Sequence, residues 1–188
     1  MMPPPHSLCL DIPEALAAEA AGVSCADPES RMRRVIGWSR QNIVLGGGPF
    51  AAAVFCRESG RCLALGVNRV VANHCSLAHA EIMALMLAQE AASHHNLSEA
   101  GNFVLCSSSE PCAQCFGALP WSGIRALEYG ASREDVEAIG FDEGPKPTDW
   151  REALQSRGIA VHGPLLRDEA SAVLRDYAAL GGPVYNGG

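Results

Sequence analysis

At 188 residues, with 48% hydrophobic and 19% charged, the chain has the length and profile of one folded domain and not of a disordered segment. A net charge of -7, from 14 Lys plus Arg against 21 Asp plus Glu, leaves no basic field to hold a phosphate backbone, so no nucleic-acid partner is expected. Of the eight cysteines, Cys9, Cys25, Cys56, Cys62, Cys75 and Cys106 show no paired spacing, and with no leader pattern and no apolar run long enough to span a bilayer they predict a reducing, cytoplasmic setting with no membrane partner.

Residues 1–26 begin Met1-Met2-Pro3-Pro4-Pro5 and are expected to form a loosely held arm with an alanine-rich patch over 14–21. Asp27-Pro28-Glu29 supplies a cap, a first-turn proline and an acidic first turn. Met32, Val35, Ile36 and Ile43 follow at helical spacing, so a helix should run to Gly46-Gly47-Gly48, with Arg31, Arg33 and Arg34 as a solvated face. Residues 50–56 and 62–69 read as a hairpin turning at Glu58-Ser59-Gly60-Arg61. A helix is predicted over 79–94 with Ile82, Leu85, Met86 and Gln89 on one face, then a strand over 102–107. Cys112 and Cys115 open the next helix, which Pro120 ends or kinks early. Strands at 124–129 and 159–162 and helices at 132–139, 148–157 and 168–180 complete a domain over 27–180, followed by a tail over 181–188. Strands separated by helices after an opening hairpin predict an α/β fold: a three-layer α/β/α sandwich on a mixed five-stranded sheet.

Two short stretches carry the chemistry, His79-Ala80-Glu81 and Pro111-Cys112-Ala113-Gln114-Cys115. One imidazole and two thiolates, His79, Cys112 and Cys115, make three zinc ligands and leave a fourth position for water, as catalytic zinc sites do. At i, i+3 the two thiolates share one face of a first turn, where the helix dipole favours their ionised form. Zinc lowers the pKa of bound water from ~15.7 to ~7. Glu81, two residues from a ligand, is then placed to carry the water proton, work worth roughly a hundred to ten thousandfold in rate. His-x-Glu with Pro-Cys-x-x-Cys is the zinc deaminase signature. The duller alternative is a closed zinc knuckle, with Cys75 or His74 as fourth ligand and no role for Glu81.

These motifs resemble the cytidine deaminase-like superfamily. Gly48-Pro49-Phe50-Ala51-Ala52-Ala53-Val54, Asn68-Arg69-Val70, Ala78-His79-Ala80-Glu81, Glu110-Pro111-Cys112, Trp121 and Ile139-Gly140-Phe141-Asp142-Glu143 are similar to its guanine deaminases, from about Asp27 to Tyr185. The resemblance implies one zinc ion per chain and a small purine base as ligand. It implies further that Asn68 binds the purine edge, Phe50 stacks on the ring and the Ala80 N–H helps to hold the base, with Trp121 and Asp142 among the binding residues. Glu143 would contact the amino group and shuttle a second proton. A homodimer exchanging its C-terminal segments would close each pocket with Tyr185. The implied reaction is hydrolysis of guanine to xanthine and ammonia. Guanosine, a triazine such as ammeline, cytosine or adenosine in transfer RNA remain rival substrates, and a zinc-stabilised interaction module is the rival without turnover.

Overall fold

The structure, a computed structural model, describes residues 6–186; the first five residues of the expected arm and the last two of the tail lie outside it. In chain order the elements are α1 (Glu14–Ala20), α2 (Pro28–Val44), β1 (Ala51–Cys56), β2 (Cys62–Val67), α3 (Ala80–Ala92), α4 (Leu97–Ala100) and β3 (Phe103–Ser109). α5 (Ala113–Ser122), β4 (Ala126–Ala131), α6 (Arg133–Glu137), α7 (Trp150–Gln155), β5 (Ala160–His162) and α8 (Arg167–Ala179) follow. The five strands form one mixed sheet, as expected, and the structure gives its order as β2-β1-β3-β4-β5, antiparallel across β2-β1-β3 and parallel across β3-β4-β5. One core, on the α2 and α8 side, gathers Met32, Val35, Trp38, Val173 and Leu174. The other lies under α3, α5 and α7 and gathers Ala84, Leu119, Trp150 and Leu154. Among the described residues no helix is long and apolar enough to cross a membrane.

α2 begins as its sequence dictates. The Asp27 carboxylate accepts from the Ser30 N–H at 2.9 Å, and Pro28 occupies the first turn, where its missing N–H costs nothing. The arginine cluster does not form one solvated face: Arg33 and Arg34 are exposed, but Arg31 is buried and grips Glu128 of β4 with two hydrogen bonds of 2.9 and 2.6 Å. The arm is likewise not loose over its second half. Leu16 and Ala20, one turn apart, are buried, and the chain then runs along the free edge of β2, with the Cys25 N–H on Gly60 O and the Cys62 N–H on Val23 O, each at 2.9 Å. Covering that edge satisfies backbone groups that an outer strand leaves open.

α3 packs by a face rotated from the one its apolar spacing suggested: of the expected residues Leu85 is buried, while Ile82 and Gln89 are only half-buried. Ala80, Ala84 and Ala88, at i, i+4 and i+8, are buried while Met86 is 48% exposed. The cause is on β2: a side chain at Gly66 would collide with the Ala80 carbonyl and the Ala84 backbone, so helix and strand touch backbone to backbone along the alanines, with Met83 and Leu85 buried beside them and Met86 turned outward. α5 also departs from expectation, continuing past Pro120 to Ser122 before Gly123 ends it at φ 81°. Pro120 sits in the last turn, where losing one N–H to the carbonyl four residues back does not stop the helix.

Register decides what gathers at one edge of the sheet. Ala51 pairs with Val67 and Ala52 with Ser107, so the start of β1, the end of β2 and the end of β3 lie together. Phe50, Asn68 and the turn at Pro111-Cys112 extend directly from those ends.

Candidate active site

Two helix starts meet at this edge. His79 is the N-cap of α3 and Cys112 the N-cap of α5, both in extended backbone, and neither side chain turns back to cap its own helix. They face each other instead. His79 Nδ1 lies 3.5 Å from Cys112 Sγ and 3.7 Å from Cys115 Sγ. Around a tetrahedral zinc with bonds of ~2.0–2.3 Å, neighbouring N and S ligands stand about 3.6 Å apart, so this triangle fits the ion as it is. The three ligand atoms lie within 4.8 Å of one another, and neither Cys75 nor His74 joins them, which removes the closed-knuckle alternative.

Within the triangle the three groups set one another's protonation, and Cys112 is the one held as thiolate. Cys112 is drawn down to about 4, first by a hydrogen bond from the Cys115 thiol and then, against burial, by the His79 ring. Cys115 is pushed well above the usual thiol range by that same bond, by burial and by Glu81. For His79, burial opposes protonation, but the hydrogen bond and charge of Cys112 outweigh it and raise the pKa.

Glu81, in the first turn of α3, is 5% exposed. One carboxylate oxygen accepts from Ser107 Oγ at 3.0 Å and the other from the Cys115 thiol at 3.4 Å. Burial first, then the Cys112 charge, raises its pKa. A carboxylate so placed takes up a proton readily. The Ala80 N–H, at the first helical position, has no acceptor within the helix and is available to a ligand.

The rest of the cavity rises from the neighbouring strand ends. Asn68 is 2% exposed, its Oδ1 accepting from the Val70 N–H at 3.3 Å. Its backbone carbonyl and that of Gly48 are both held by Asn42 Nδ2, at 2.9 and 2.8 Å. Phe50 meets Phe141 edge to face at 5.2 Å, and Phe141 meets Tyr185 at 4.9 Å, an aromatic wall of three rings. Glu143 is buried, and its Oε2 has no partner among the described residues. Burial, then Cys112 and Glu81, pushes its pKa up to about 8.

Phe50, Asn68, His79, Ala80, Glu81, Cys112, Asp142, Glu143 and Tyr185 all line one cavity of about 350 Å³, with Cys115 beneath it. Trp121 does not join them. It is 78% exposed beside Pro120, six residues beyond Cys115 and so turned about 120° away around the helix. The tail, expected to cross to a partner, reaches the cavity of its own chain: Asn186 accepts from the Asp142 N–H and donates to Gly140 O, each at 2.9 Å, and holds Tyr185 over the opening. Sequence reasoning missed Ser107, Asn42 and Phe141. The alternation of β3 places Ser107 on the α3 face, and the Gly-Phe-Asp run already contained Phe141; nothing in the sequence marked Asn42.

Residues 28–131 match the family model described as cytidine and deoxycytidylate deaminase zinc-binding region. The chain belongs to this deaminase family. Within it, the chain is 31% identical over 116 residues to the guanine deaminase of Bacillus subtilis (strain 168), covering 61% of this chain and 71% of that one. The solved structure of guanine deaminase from Nitrosomonas europaea is 50% identical, with a TM-score of 0.88 over 92% of this chain and 97% of the other. A structure of the protein NE0047 in complex with 2,6-diaminopurine is also 50% identical, with a TM-score of 0.90 over 96% and 97%. The triangle of His79, Cys112 and Cys115 is thus the zinc site of a deaminase, and the five-stranded sheet its family fold.

Proposed function

We propose that this deaminase hydrolyses guanine to xanthine and ammonia. The observation that carries the reading is the cavity itself, in which an open three-ligand zinc triangle and two buried carboxyls, Glu81 and Glu143, meet under an aromatic wall. Likeness to guanine deaminases over nearly the whole chain, and the purine held by one of those neighbours, supports guanine as the base.

Zinc held by His79, Cys112 and Cys115 supplies the Lewis acidity that makes water a nucleophile at neutral pH. Phe50 stacks on the purine and Asn68 engages its edge, so that C2 faces the triangle, while the Ala80 N–H donates to the base. Water attacks C2. Glu81 takes the water proton on the carboxylate that Ser107 orients and passes it to the adjacent ring nitrogen. The protonated Glu143 then gives one proton to the amine while Glu81 takes the proton of the new C2 hydroxyl; the C2–N bond breaks, ammonia leaves with its electron pair, C2=O forms, and the proton on Glu81 replaces the one Glu143 gave. Asp142 and Tyr185 close the site against water during these transfers, and Trp121 has no part in them. Residues 27–180 form the catalytic domain, and the described tail over 181–186 is its lid.

Ammonia release measured on guanine, guanosine, cytosine, adenine and ammeline tests the substrate: guanine should be turned over fastest, and zinc-replete enzyme inert toward it would refute the proposal. The lid is further proposed to exchange within a homodimer. Exposed Val71 and Leu180 flank its root, and symmetry lets Tyr185 and Asn186 make the same contacts across two copies. Mixing Glu81→Ala with Tyr185→Ala chains should then restore one intact site per mixed dimer; no recovery means that each tail serves its own chain.

A further inference from the structure

Lys146 lies outside the cavity lining, yet its side chain is only 1% exposed, and it pairs with Glu110, itself 7% exposed. Nζ also donates to the Pro111 carbonyl at 2.7 Å and stands 4.5 Å over the Trp150 ring. Glu110 and Pro111 immediately precede the ligand Cys112, and the Glu110 N–H is fixed to Ala131 O of β4 at 2.8 Å. Three residues before Lys146 is Glu143, whose carbonyl accepts from the Ala113 N–H at 2.8 Å, between the two cysteine ligands. The loop that bears the second carboxyl is therefore fastened twice to the turn that bears the metal ligands, once by backbone and once by Lys146.

The local sequence is built to aim that side chain inward. Gly144 takes φ 69°, which reverses the chain just after Glu143, and Pro145 and Pro147 fix the backbone on both sides of Lys146. A buried ion pair is seldom more stabilising than an apolar pair of the same shape, so stability alone does not account for a lysine here. What the pair provides is fixed geometry between two rigid pieces.

We propose that Lys146 is a positioning residue for Glu143, locking its loop to the Glu110-Pro111-Cys112 turn so that the second proton donor stays in register with the zinc triangle. This rests on the deaminase reading above. Wild-type enzyme that releases no ammonia from guanine would defeat that reading before Lys146 is tested.

The test is a double-mutant cycle on zinc-loaded full-length protein, with metal content and melting followed alongside. Lys146→Met should keep zinc and fold, lower kcat about tenfold to a hundredfold and leave KM within about threefold, the range seen when the support of a site residue is removed. Placed on Glu143→Gln, or on Glu143→Asp if Gln brings turnover below detection, it should cost little more, because both changes remove the same function. An equal loss on both backgrounds, loss of zinc, or no loss at all would each overturn the proposal. Should Lys146→Met not fold, Lys146→Gln, which can still donate to Pro111, is judged by the same criteria.

Discussion

Glu81 carries the chemistry but does not hold itself in place: Ser107 Oγ fixes one of its oxygens from the neighbouring strand. Glu81→Ala should lower kcat by roughly a hundred to ten thousandfold while zinc content and melting stay near wild type, since the carboxyl moves protons and binds no metal. Ser107→Ala should cost about tenfold in kcat with KM little changed, as the loss of an orienting hydrogen bond does. Glu143 makes a different prediction. Its folded pKa of about 8 stands above the ordinary carboxyl value of 4.5, so between those pH values the folded chain keeps a proton that the unfolded chain gives up. Stability conferred by that proton is present at low pH and lost as pH rises through the window. Glu143→Gln should therefore melt higher than wild type at pH 8, by on the order of 2 kcal/mol, and converge with it near pH 4, even as turnover falls. The ligands and Glu81 were legible because their chemistry fixes residue type and spacing, whereas Glu143 came only from the resemblance. Ser107 and Lys146 were not, because a hydroxyl on a strand and a lysine in a loop carry no pattern until register and topology bring them to their partners.

α3 was visible as a helix from its composition, but its inward face was not. The apolar spacing of Ile82, Leu85 and Met86 placed only Leu85 correctly; the alanine ridge of Ala80, Ala84 and Ala88 is a weaker signal and becomes decisive only beside Gly66. That close approach sets the height of His79 above the sheet. Gly66→Ala should push the helix outward, destabilise the fold by about 1–3 kcal/mol and weaken zinc binding in parallel, as melting and a competitive zinc titration would show. The two helix starts thus differ in support: α3 rests on small side chains, whereas α5 is tied through Glu110 and Ala113 to flanking chain. Pro120 was misread for a related reason. A proline predicts a break only where a whole turn must still follow, and here Gly123 ends the helix almost at once.

The layer order and the mixed sheet followed from the alternation of strands and helices, and each core is built from the runs that announced it. The arm did not follow, because Leu16 and Ala20 become core only once β2 offers an edge to cover. Chelation should abolish turnover while much of the melting transition survives, because both cores are complete without metal. Cutting the chain after Gly182 should raise KM and lower kcat together by removing Tyr185 and Asn186; unaltered kinetics would discard the lid. The position of β3 has one more consequence. It pairs with β1 on one side and β4 on the other, and it alone delivers the cysteines to a histidine 33 and 36 residues earlier in the chain. Loop closure between such distant segments is slow compared with forming the β1-β2 hairpin or α3. The ion cannot nucleate this protein; in a refolding time course, zinc uptake should lag the recovery of secondary structure and mark the moment at which the central strand is seated.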